Sequence, residues 1–407
     1  MKDIQIKTII DAETKRQKKV INLIPSENFT SKDVMEAVGS VFDNKYAEGY
    51  AYARYYGGNE EVDKLESLCK KRALELFGLK EKDWHVNCQA HSGSPANLAV
   101  YLANVPVVTG KIMGMSLTSG GHLTHGQKVS ATGKFWTPVN FEVDKKTEVI
   151  DYEVVMKLAK KEKPTIIVAG FTAYPRTVDF KKFREIADAC GALLMVDMSH
   201  LAGLVAGKAY PSPFLYADIV TTTTHKTLRG PRGALIFSKI DERNLGKKID
   251  KAVFPGLQGG PHMSHVAGIA VALYEAKTPE FKVYAKQVIK NAKAFAKEIQ
   301  KLGWRVVSGG TDSHLLLIDT WANGVTGKIA EAELEKVGII CNKNTIPGET
   351  RSPFDPSGIR VGTPAMTTRG YKEEDFIKVA QKIDKVLRGL KSVSYTHLRA
   401  HETKANL

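Results

Sequence analysis

The sequence has few cysteines and no long apolar segment. Its cysteines, Cys69, Cys88, Cys190 and Cys341, are far apart and form no CxxC pair, so neither a disulfide framework nor a metal site is predicted. No stretch approaches the roughly 18 uninterrupted apolar residues of a membrane helix, and the first residues carry charges where a signal peptide has its apolar core. We therefore expect a cytoplasmic protein that does not bind membranes.

Acidic residues are in short supply relative to basic ones. The 407 residues include 59 Lys and Arg against 44 Asp and Glu, a formal net charge of +15. This charge favours anionic partners such as nucleic acid, a phosphate-bearing cofactor or a polycarboxylate substrate. The lysines of residues 282–301 recur at helical spacing without interleaved aromatic residues. That pattern favours a solvated basic surface over a nucleic-acid partner, although a basic RNA-binding protein is the alternative that charge alone allows.

The middle of the chain alternates strand and helix patterns. Residues 165–171 and 192–196 are short apolar runs, typical of strands buried on both faces. Between them, apolar residues of 180–190 recur at helical spacing, and Gly191 follows as a C-cap. Further strands are expected at 218–224 and 234–237. The pattern predicts an α/β fold with a mostly parallel sheet covered by helices.

We expect four segments along the chain. Residues 1–20 form an N-terminal helical segment, 21–280 a large domain and 281–391 a smaller C-terminal α/β domain, with a long amphipathic helix near the boundary. Residues 392–407 show neither helical nor strand periodicity, which indicates a disordered or non-native tail.

Two charged residues follow neighbouring predicted strands. Lys226, in TTTTHKTL, comes directly after a hydroxyl-rich strand, and Asp197 ends the strand LLMVD. Both therefore belong to the carboxyl edge of the sheet, where open α/β folds bind ligands. A single lysine at a strand end is more often a solvent-exposed residue, but Asp197 beside it favours a site.

A predicted helix start adds a place for an anion. In HSGSPAN, Ser94 is expected to be the N-cap and Pro95 the first helical residue, so that Ser92, Gly93 and Ser94 offer N–H groups and hydroxyls to a phosphate. An anion cradle, a carboxylate and a lysine together are what pyridoxal 5'-phosphate requires. The cradle binds the phosphate, the carboxylate keeps the pyridine nitrogen protonated, and the lysine amine binds covalently.

The chain resembles the serine hydroxymethyltransferase family over about residues 20–390. The resemblance rests on motifs in order: LIPSENFTS, NKYAEGY, RYYGG, HSGSPAN, GGHLTHG, VDMSHLAGL, TTTTHKTLRGPRG, FPGLQGGPH, NKNTIP and SGIRVGTPA. It implies an aminotransferase-like large domain and a transferase of one-carbon metabolism. The reaction implied moves the hydroxymethyl group of L-serine reversibly to tetrahydrofolate, giving glycine and 5,10-methylenetetrahydrofolate. A folate-independent pyridoxal-phosphate aldolase of 3-hydroxy amino acids is the alternative.

The resemblance also assigns the cofactor site. It implies that Lys226 holds pyridoxal 5'-phosphate covalently, that Asp197 pairs with the pyridine nitrogen, and that His122 stacks on the ring. Thr172 and His200 are expected near the phenolic oxygen, and His225 is expected to shape the site and the substrate choice. Three other histidines are interpreted as structural: His85, His262 and His314.

Substrate residues and a second subunit follow from the same motifs. Arg360 is implied to bind the substrate carboxylate, with help from Ser26, Tyr56 and His200. Tyr46, Tyr56 and Gly260 belong to segments that reach the neighbouring subunit's cofactor, so at least a homodimer is expected.

The resemblance further implies a folate pocket and a proton-transfer residue. Glu48 is expected to transfer a proton in the folate step, with a pKa raised by aromatic neighbours. The pocket residues implied are Glu48, Tyr55, Leu117, Gly121, His122, Leu123, Asn344, Ser352, Pro353 and Phe354.

Overall fold

The computed structural model describes the backbone of residues 1–402 and the side chains of residues 1–390. Its α-helices are α1 (Ile4–Lys19), α2 (Lys32–Val38), α3 (Glu60–Phe77), α4 (Gly93–Asn104), α5 (Ala131–Phe135), α6 (Tyr152–Glu162), α7 (Phe180–Cys190), α8 (Ala202–Ala206), α9 (Leu245–Lys251), α10 (Met263–Ala276), α11 (Pro279–Lys301), α12 (Gly327–Lys336), α13 (Pro364–Thr368) and α14 (Glu373–Glu402). Its strands are β1 (Ile21–Asn22), β2 (Gly49–Tyr50), β3 (Ala53–Arg54), β4 (Trp84–Asn87), β5 (Lys111–Met115), β6 (Thr137–Phe141), β7 (Ile166–Val168), β8 (Leu193–Asp197), β9 (Ile219–Thr223), β10 (Ala234–Lys239), β11 (Arg305–Val306), β12 (Leu315–Asp319), β13 (Ile339–Ile340), β14 (Asn342–Asn344) and β15 (Gly358–Gly362).

A seven-stranded sheet, the large sheet, forms the centre of residues 84–239 in the order β4-β10-β9-β8-β7-β5-β6. The run from β6 through β5, β7 and β8 to β9 is parallel, and β10 is antiparallel to both β9 and β4. The expected α/β fold with a mostly parallel sheet is confirmed. Asp197 at the end of β8 lies in register with Thr221 of β9, so the polar strand ends meet at one edge.

Both faces of the large sheet are covered, which explains the uninterrupted apolar strands. Successive side chains of a strand point to opposite faces. Ile166 and Met195 accordingly pack in one apolar cluster with residues of α4 and α9. Ile167 and Leu194 pack in the opposite cluster with residues of α3, α7 and α10.

A four-stranded antiparallel sheet, the small sheet, has the order β11-β12-β15-β14. It packs in a third apolar cluster with residues of α11, α12 and α14. The N-terminal strand β1 pairs in parallel with β13, and Leu23 is fully buried in this third cluster. Leu23 also accepts a hydrogen bond from Gly362 N over 2.7 Å. The N-terminal residues therefore pack with the small sheet, although the large sheet lies between the two in sequence.

The long helix α11 belongs to both apolar cores. Ala285 and Val288, in its first half, pack in a core of the large sheet, whereas Phe295 and Ile299 pack in the core of the small sheet. The predicted boundary at 280/281 falls in the first turn of this helix. The division into domains stays a prediction.

Two sequence expectations about helix ends are wrong. The helix α4 begins at Gly93 with Ser92 as its N-cap, so Ser94 and Pro95 lie inside its first turn. The helix α14 continues to Glu402 instead of ending near residue 391, because KSVSYTHLRAHE contains neither glycine nor proline to stop it. The side chains of residues 391–402 and all of residues 403–407 lie outside the described part, so the nature of the tail stays a prediction.

None of the helices within residues 1–402 combines the length and the apolar composition needed to cross a bilayer. The cytoplasmic location stays a prediction.

Candidate active site

A cavity of about 340 Å³ lies where the carboxyl ends of β8 and β9 meet the start of α4 and the small sheet. This is the edge at which open α/β sheets bind ligands. The cavity is lined by Ser26, Glu27, Ser92, Gly93, Ser94, Asn97, His122, His125, Phe171, Thr172, Asp197, Ser199, His200, Thr223, His225, Lys226, Arg232 and Arg360.

Lys226 lies in the loop that follows β9. Its carbonyl oxygen accepts hydrogen bonds from Asn28 Nδ2 over 3.0 Å and from Arg229 N over 3.1 Å, which fixes the backbone that carries the amine. Burial and the charges of Arg360 and Arg232 lower the pKa of the amine to about 8, although Asp197 opposes the shift. Roughly a tenth of the amine is therefore neutral at pH 7, and a neutral amine is the nucleophilic form.

Asp197 is a buried carboxylate with both oxygens hydrogen-bonded. Oδ2 accepts from Asn97 Nδ2 over 2.8 Å and lies 3.1 Å from His125 Nε2. Oδ1 accepts from Ser199 N over 3.1 Å and from Ser199 Oγ over 2.5 Å. Burial alone would raise the pKa of Asp197, but the hydrogen bond with His125 and the charge of Lys226 hold that pKa well below its usual range. The carboxylate stays ionised in a fixed orientation.

The start of α4 supplies free backbone N–H groups to the cavity. Ser92 is the N-cap in an extended conformation, and Gly93 begins the helix. A Cβ atom on Gly93 would lie 2.6 Å from Thr223 Cγ2, so only glycine allows α4 to approach β9 this closely. No acidic residue lies in the first turn of this helix. The positive end of the helix dipole therefore faces the cavity with no acidic side chain on the helix's own first turn.

The predicted ring and specificity histidines lie in the cavity wall as uncharged side chains. Burial lowers the pKa of His122 to about 4, and His122 Nδ1 lies 2.8 Å from Thr124 Oγ1. Burial and the charge of Lys226 lower the pKa of His225 to about 3. Neutral imidazoles add no further positive charge beside Lys226.

Arg360 lies in the middle of β15 and points into the same cavity. Its Nη1 donates to Thr172 O over 2.8 Å and its Nε to Asn342 Oδ1 over 3.1 Å. The side chain is buried, which lowers its pKa to about 10, and among the described side chains no carboxylate lies within ion-pair distance of it. A buried guanidinium without a carboxylate partner is a binding site for an anion.

Several residues of the cavity wall were not predicted from the sequence. Asn97, His125 and Arg232 line the cavity, although each belongs to a motif already quoted. A buried polar residue one helical turn after Gly93, as Asn97 is, could have been recognised from helical spacing. The hydrogen bond of His125 to Asp197 could not, because it depends on how two distant segments fold against each other.

Other predicted residues gather elsewhere on the chain and do not line the cavity. Glu48, Tyr46, Tyr55, Tyr56 and Gly260, here called the tyrosine cluster, lie on or beside the β2–β3 hairpin. The rings of Tyr46 and Tyr56 are 5.1 Å apart, and a Cβ atom on Gly260 would lie 3.5 Å from the Tyr46 ring. The charge of Glu48 raises the pKa of the exposed Tyr46. The Tyr46 ring therefore contacts Tyr56 and lies beside Gly260, whereas the Tyr55 ring packs on Phe254. The roles of these residues stay predictions.

Apart from Glu48 and Tyr55 of the tyrosine cluster, the predicted folate residues are split between two segments. Leu117, Gly121 and Leu123 flank His122, which is the one member of the set that lines the cavity. Asn344 ends β14, the strand next to Arg360, and Ser352, Pro353 and Phe354 follow in the next loop. Leu123 and Phe354 are 44% and 84% exposed. Within this chain the residues do not close into one pocket, and their role stays a prediction.

Comparison with known proteins gives one consistent result. The family model described as serine hydroxymethyltransferase matches residues 1–383. A protein named serine hydroxymethyltransferase from Rickettsia akari (strain Hartford) is 53% identical over 391 residues, which cover 96% of this chain and 91% of that protein. A protein named probable serine hydroxymethyltransferase from Rickettsia bellii (strain RML369-C) is 55% identical over 385 residues, 94% of this chain and 90% of that protein.

Proposed function

The chain belongs to the serine hydroxymethyltransferase family, and on that premise we propose which of its residues carry the reaction. The enzyme transfers the hydroxymethyl group of L-serine reversibly to tetrahydrofolate, giving glycine and 5,10-methylenetetrahydrofolate. The folate-independent aldolase is not favoured, because the family model and the named relatives agree on the transferase. The family uses pyridoxal 5'-phosphate as cofactor. The observation that carries the assignment of residues is a lysine of depressed pKa beside an ionised carboxylate in one cavity.

The residues present fit pyridoxal 5'-phosphate. The start of α4 offers backbone N–H groups to a phosphate, and Gly93 lets this helix start lie against Thr223 of β9 at the cavity wall. Asp197 is ionised and can hold a proton on the pyridine nitrogen, while Lys226 supplies the amine for covalent attachment. When bound, the cofactor supplies an electron sink for the carbanion that remains as the hydroxymethyl carbon leaves.

Arg360 binds the serine carboxylate in this proposal. Its planar guanidinium can donate two parallel hydrogen bonds to a carboxylate, and its existing contacts with Thr172 O and Asn342 Oδ1 hold the side chain in place. Ser26, from the segment after β1, lines the same cavity. Residues of the small sheet therefore orient the substrate carboxylate, and residues of the large sheet face its reacting carbon.

In this proposal, the tyrosine cluster contributes side chains to the active site of a second subunit. Tyr46, Tyr55 and Tyr56 are 56%, 74% and 49% exposed, which is unusual for side chains that gain so much by burial. We place Glu48, Tyr46, Tyr56 and Gly260 against the partner's cavity in a homodimer. There Glu48 gives or takes the proton of the folate step.

Tetrahydrofolate binds beside His122 in this proposal. Gly121 and Leu123 adjoin His122 in the cavity wall, and Asn344 adjoins the strand that carries Arg360. Leu117, Ser352, Pro353 and Phe354 supply apolar and polar groups on the two sides. With Tyr55 and Glu48 from the partner subunit, these residues form the mostly apolar slot that a flat pterin needs.

A combined spectroscopic and mapping experiment tests the assignment. The purified chain should be yellow, its turnover of serine should rise on adding tetrahydrofolate, and borohydride reduction should fix the cofactor to one peptide that contains Lys226. Attachment to any other lysine would refute the site assignment. Serine turnover that is indifferent to tetrahydrofolate would instead favour the aldolase.

A further inference from the structure

His314 and His200 form a buried pair that links the two domains at the cavity. His314 precedes β12 of the small sheet, and its Nε2 lies 3.1 Å from Nδ1 of His200, which follows β8 of the large sheet. Their ring centroids are 5.3 Å apart. His200 lines the cavity, whereas His314 is fully buried behind it.

Both rings are uncharged. Burial, with the charges of Arg360 and Lys226, lowers the pKa of His314 to about 3. Burial, with the charge of Lys226, lowers the pKa of His200 as well. Each ring therefore carries one proton, and the contact between them is a single hydrogen bond with one donor and one acceptor.

The other nitrogen of His314 decides which ring donates. His314 Nδ1 is buried, and no hydrogen-bond partner for it lies among the described residues. A buried N–H group without an acceptor is rarer and more costly than a bare acceptor without a donor. The proton of His314 therefore belongs on Nε2, where it is donated to His200 Nδ1.

This arrangement fixes the second ring in turn. Because His200 Nδ1 accepts the hydrogen bond, the proton of His200 lies on Nε2, the nitrogen not engaged by His314. We propose that His314 is a positioning residue which keeps His200 in the tautomer with its proton on Nε2, so that His200 is a neutral hydrogen-bond donor to an oxygen group bound in the cavity. The consequence for catalysis rests on the proposed function; the tautomer itself does not.

The contact between His314 and His200 also depends on the position of the small sheet. His314 O accepts a hydrogen bond from Thr363 N over 3.0 Å, and β12 pairs with β15, the strand of Arg360. His314 and Arg360 therefore move together. Displacing the small sheet would remove both the carboxylate-binding guanidinium and the group that orients His200.

Nitrogen NMR of the holoenzyme tests the tautomer directly. With histidine labelled by ¹⁵N, protonated and bare ring nitrogens give well-separated resonances, and those of His200 are assigned by their loss in His200→Gln. We expect His200 to be protonated on Nε2 in the parent. Protonation of His200 on Nδ1 in the parent would overturn the proposal.

Three variants separate positioning from packing. His314→Leu removes the donor and should mix the His200 tautomers and lower kcat by about 10-fold. His314→Gln keeps an N–H donor near the Nε2 position and should retain the tautomer and a kcat within about 3-fold of the parent. Ser313→Ala changes the adjacent buried side chain, whose Oγ has no hydrogen-bond partner among the described residues, and should change neither.

Melting temperatures of the three variants exclude a folding defect. If His314→Leu is folded and keeps both the parent tautomer and the parent kcat, His314 has no positioning role. If the expected tautomers are found in a protein that fails to transfer the hydroxymethyl group, the proposed function is wrong and the role of His314 stands.

Discussion

The cavity and the tyrosine cluster differ in how far their polar side chains are buried and hydrogen-bonded. In the cavity, Asp197 has both oxygens hydrogen-bonded and Arg360 is held by two acceptors. In the tyrosine cluster, Tyr46, Tyr55 and Tyr56 remain about half or more exposed. The difference teaches that the strand ends of one sheet are brought together within a single chain, whereas the side chains of this surface hairpin remain available for a further contact, as the proposed homodimer requires.

The largest effect is expected from Lys226, which lines the cavity. Lys226→Gln removes the amine, so transfer from serine to tetrahydrofolate should fall by about 1,000-fold or more, measured as 5,10-methylenetetrahydrofolate formed. Lys239→Gln, at the end of the neighbouring strand β10 and outside the cavity, is the matched control and should keep the parent rate. Parent activity in Lys226→Gln would remove the cavity from the mechanism.

The next effect addresses the tyrosine cluster. Glu48→Gln keeps size and hydrogen bonding but removes the titratable proton, so the transfer rate should fall by about 100-fold. Binding of glycine and the yellow colour should survive, because Lys226, Asp197 and Arg360 are unchanged. A colourless variant would show that Glu48 belongs to the cofactor site.

Co-expression of the Lys226→Gln and Glu48→Gln chains tests whether each active site takes residues from both subunits. If each site takes Lys226 from one subunit and Glu48 from the other, co-expressed Lys226→Gln and Glu48→Gln chains should recover about a quarter of parent activity, since half of the dimers have one intact site. No recovery would place Glu48 in the same site as the Lys226 of its own chain.

A smaller effect is expected from Arg360. Arg360→Lys keeps the charge but loses the second parallel hydrogen bond to the substrate carboxylate, so KM for serine should rise by about 10- to 30-fold with a smaller change in kcat. Steady-state kinetics with serine measures this. An unchanged KM would mean that another group binds the carboxylate.

The acidity of Lys226 predicts a pH dependence. Because its pKa is lowered to about 8, the neutral amine is scarce below that pH and predominates above it. Attachment of pyridoxal 5'-phosphate to cofactor-free protein should therefore speed up by roughly tenfold per pH unit below pH 8 and level off above it. Stopped-flow absorbance measures the rate, and a flat profile between pH 6 and 8 would contradict the depressed pKa.

The smallest effect is expected at the C-terminus, which belongs to neither region. A chain that ends at Lys391 should keep its melting temperature and its transfer activity, because the sequence of residues 392–407 shows no amphipathic face with which a continued helix could pack on the rest of the protein. A loss of several degrees would show that the end of α14 packs on the protein.

The parts of the site that the sequence predicts are those set by local rules. A lysine and an aspartate at neighbouring strand ends can be placed from apolar runs, and the sheet then brings them together. The partners of these groups depend on long-range packing: His125 reaches Asp197 across 72 positions and His314 reaches His200 across 114. His314 was interpreted as structural because no local pattern distinguishes it.

The pairing of β1 with β13 has a consequence for the order in which parts of the chain fold during synthesis. Ile21 lies opposite Ile339, and Leu23 accepts a hydrogen bond from Gly362. Contacts this distant in sequence form slowly and cannot form until most of the chain has left the ribosome. The large sheet, complete by residue 239, can fold earlier, while the segment that carries Ser26 waits. The substrate site is therefore assembled last, when the nascent protein is almost finished.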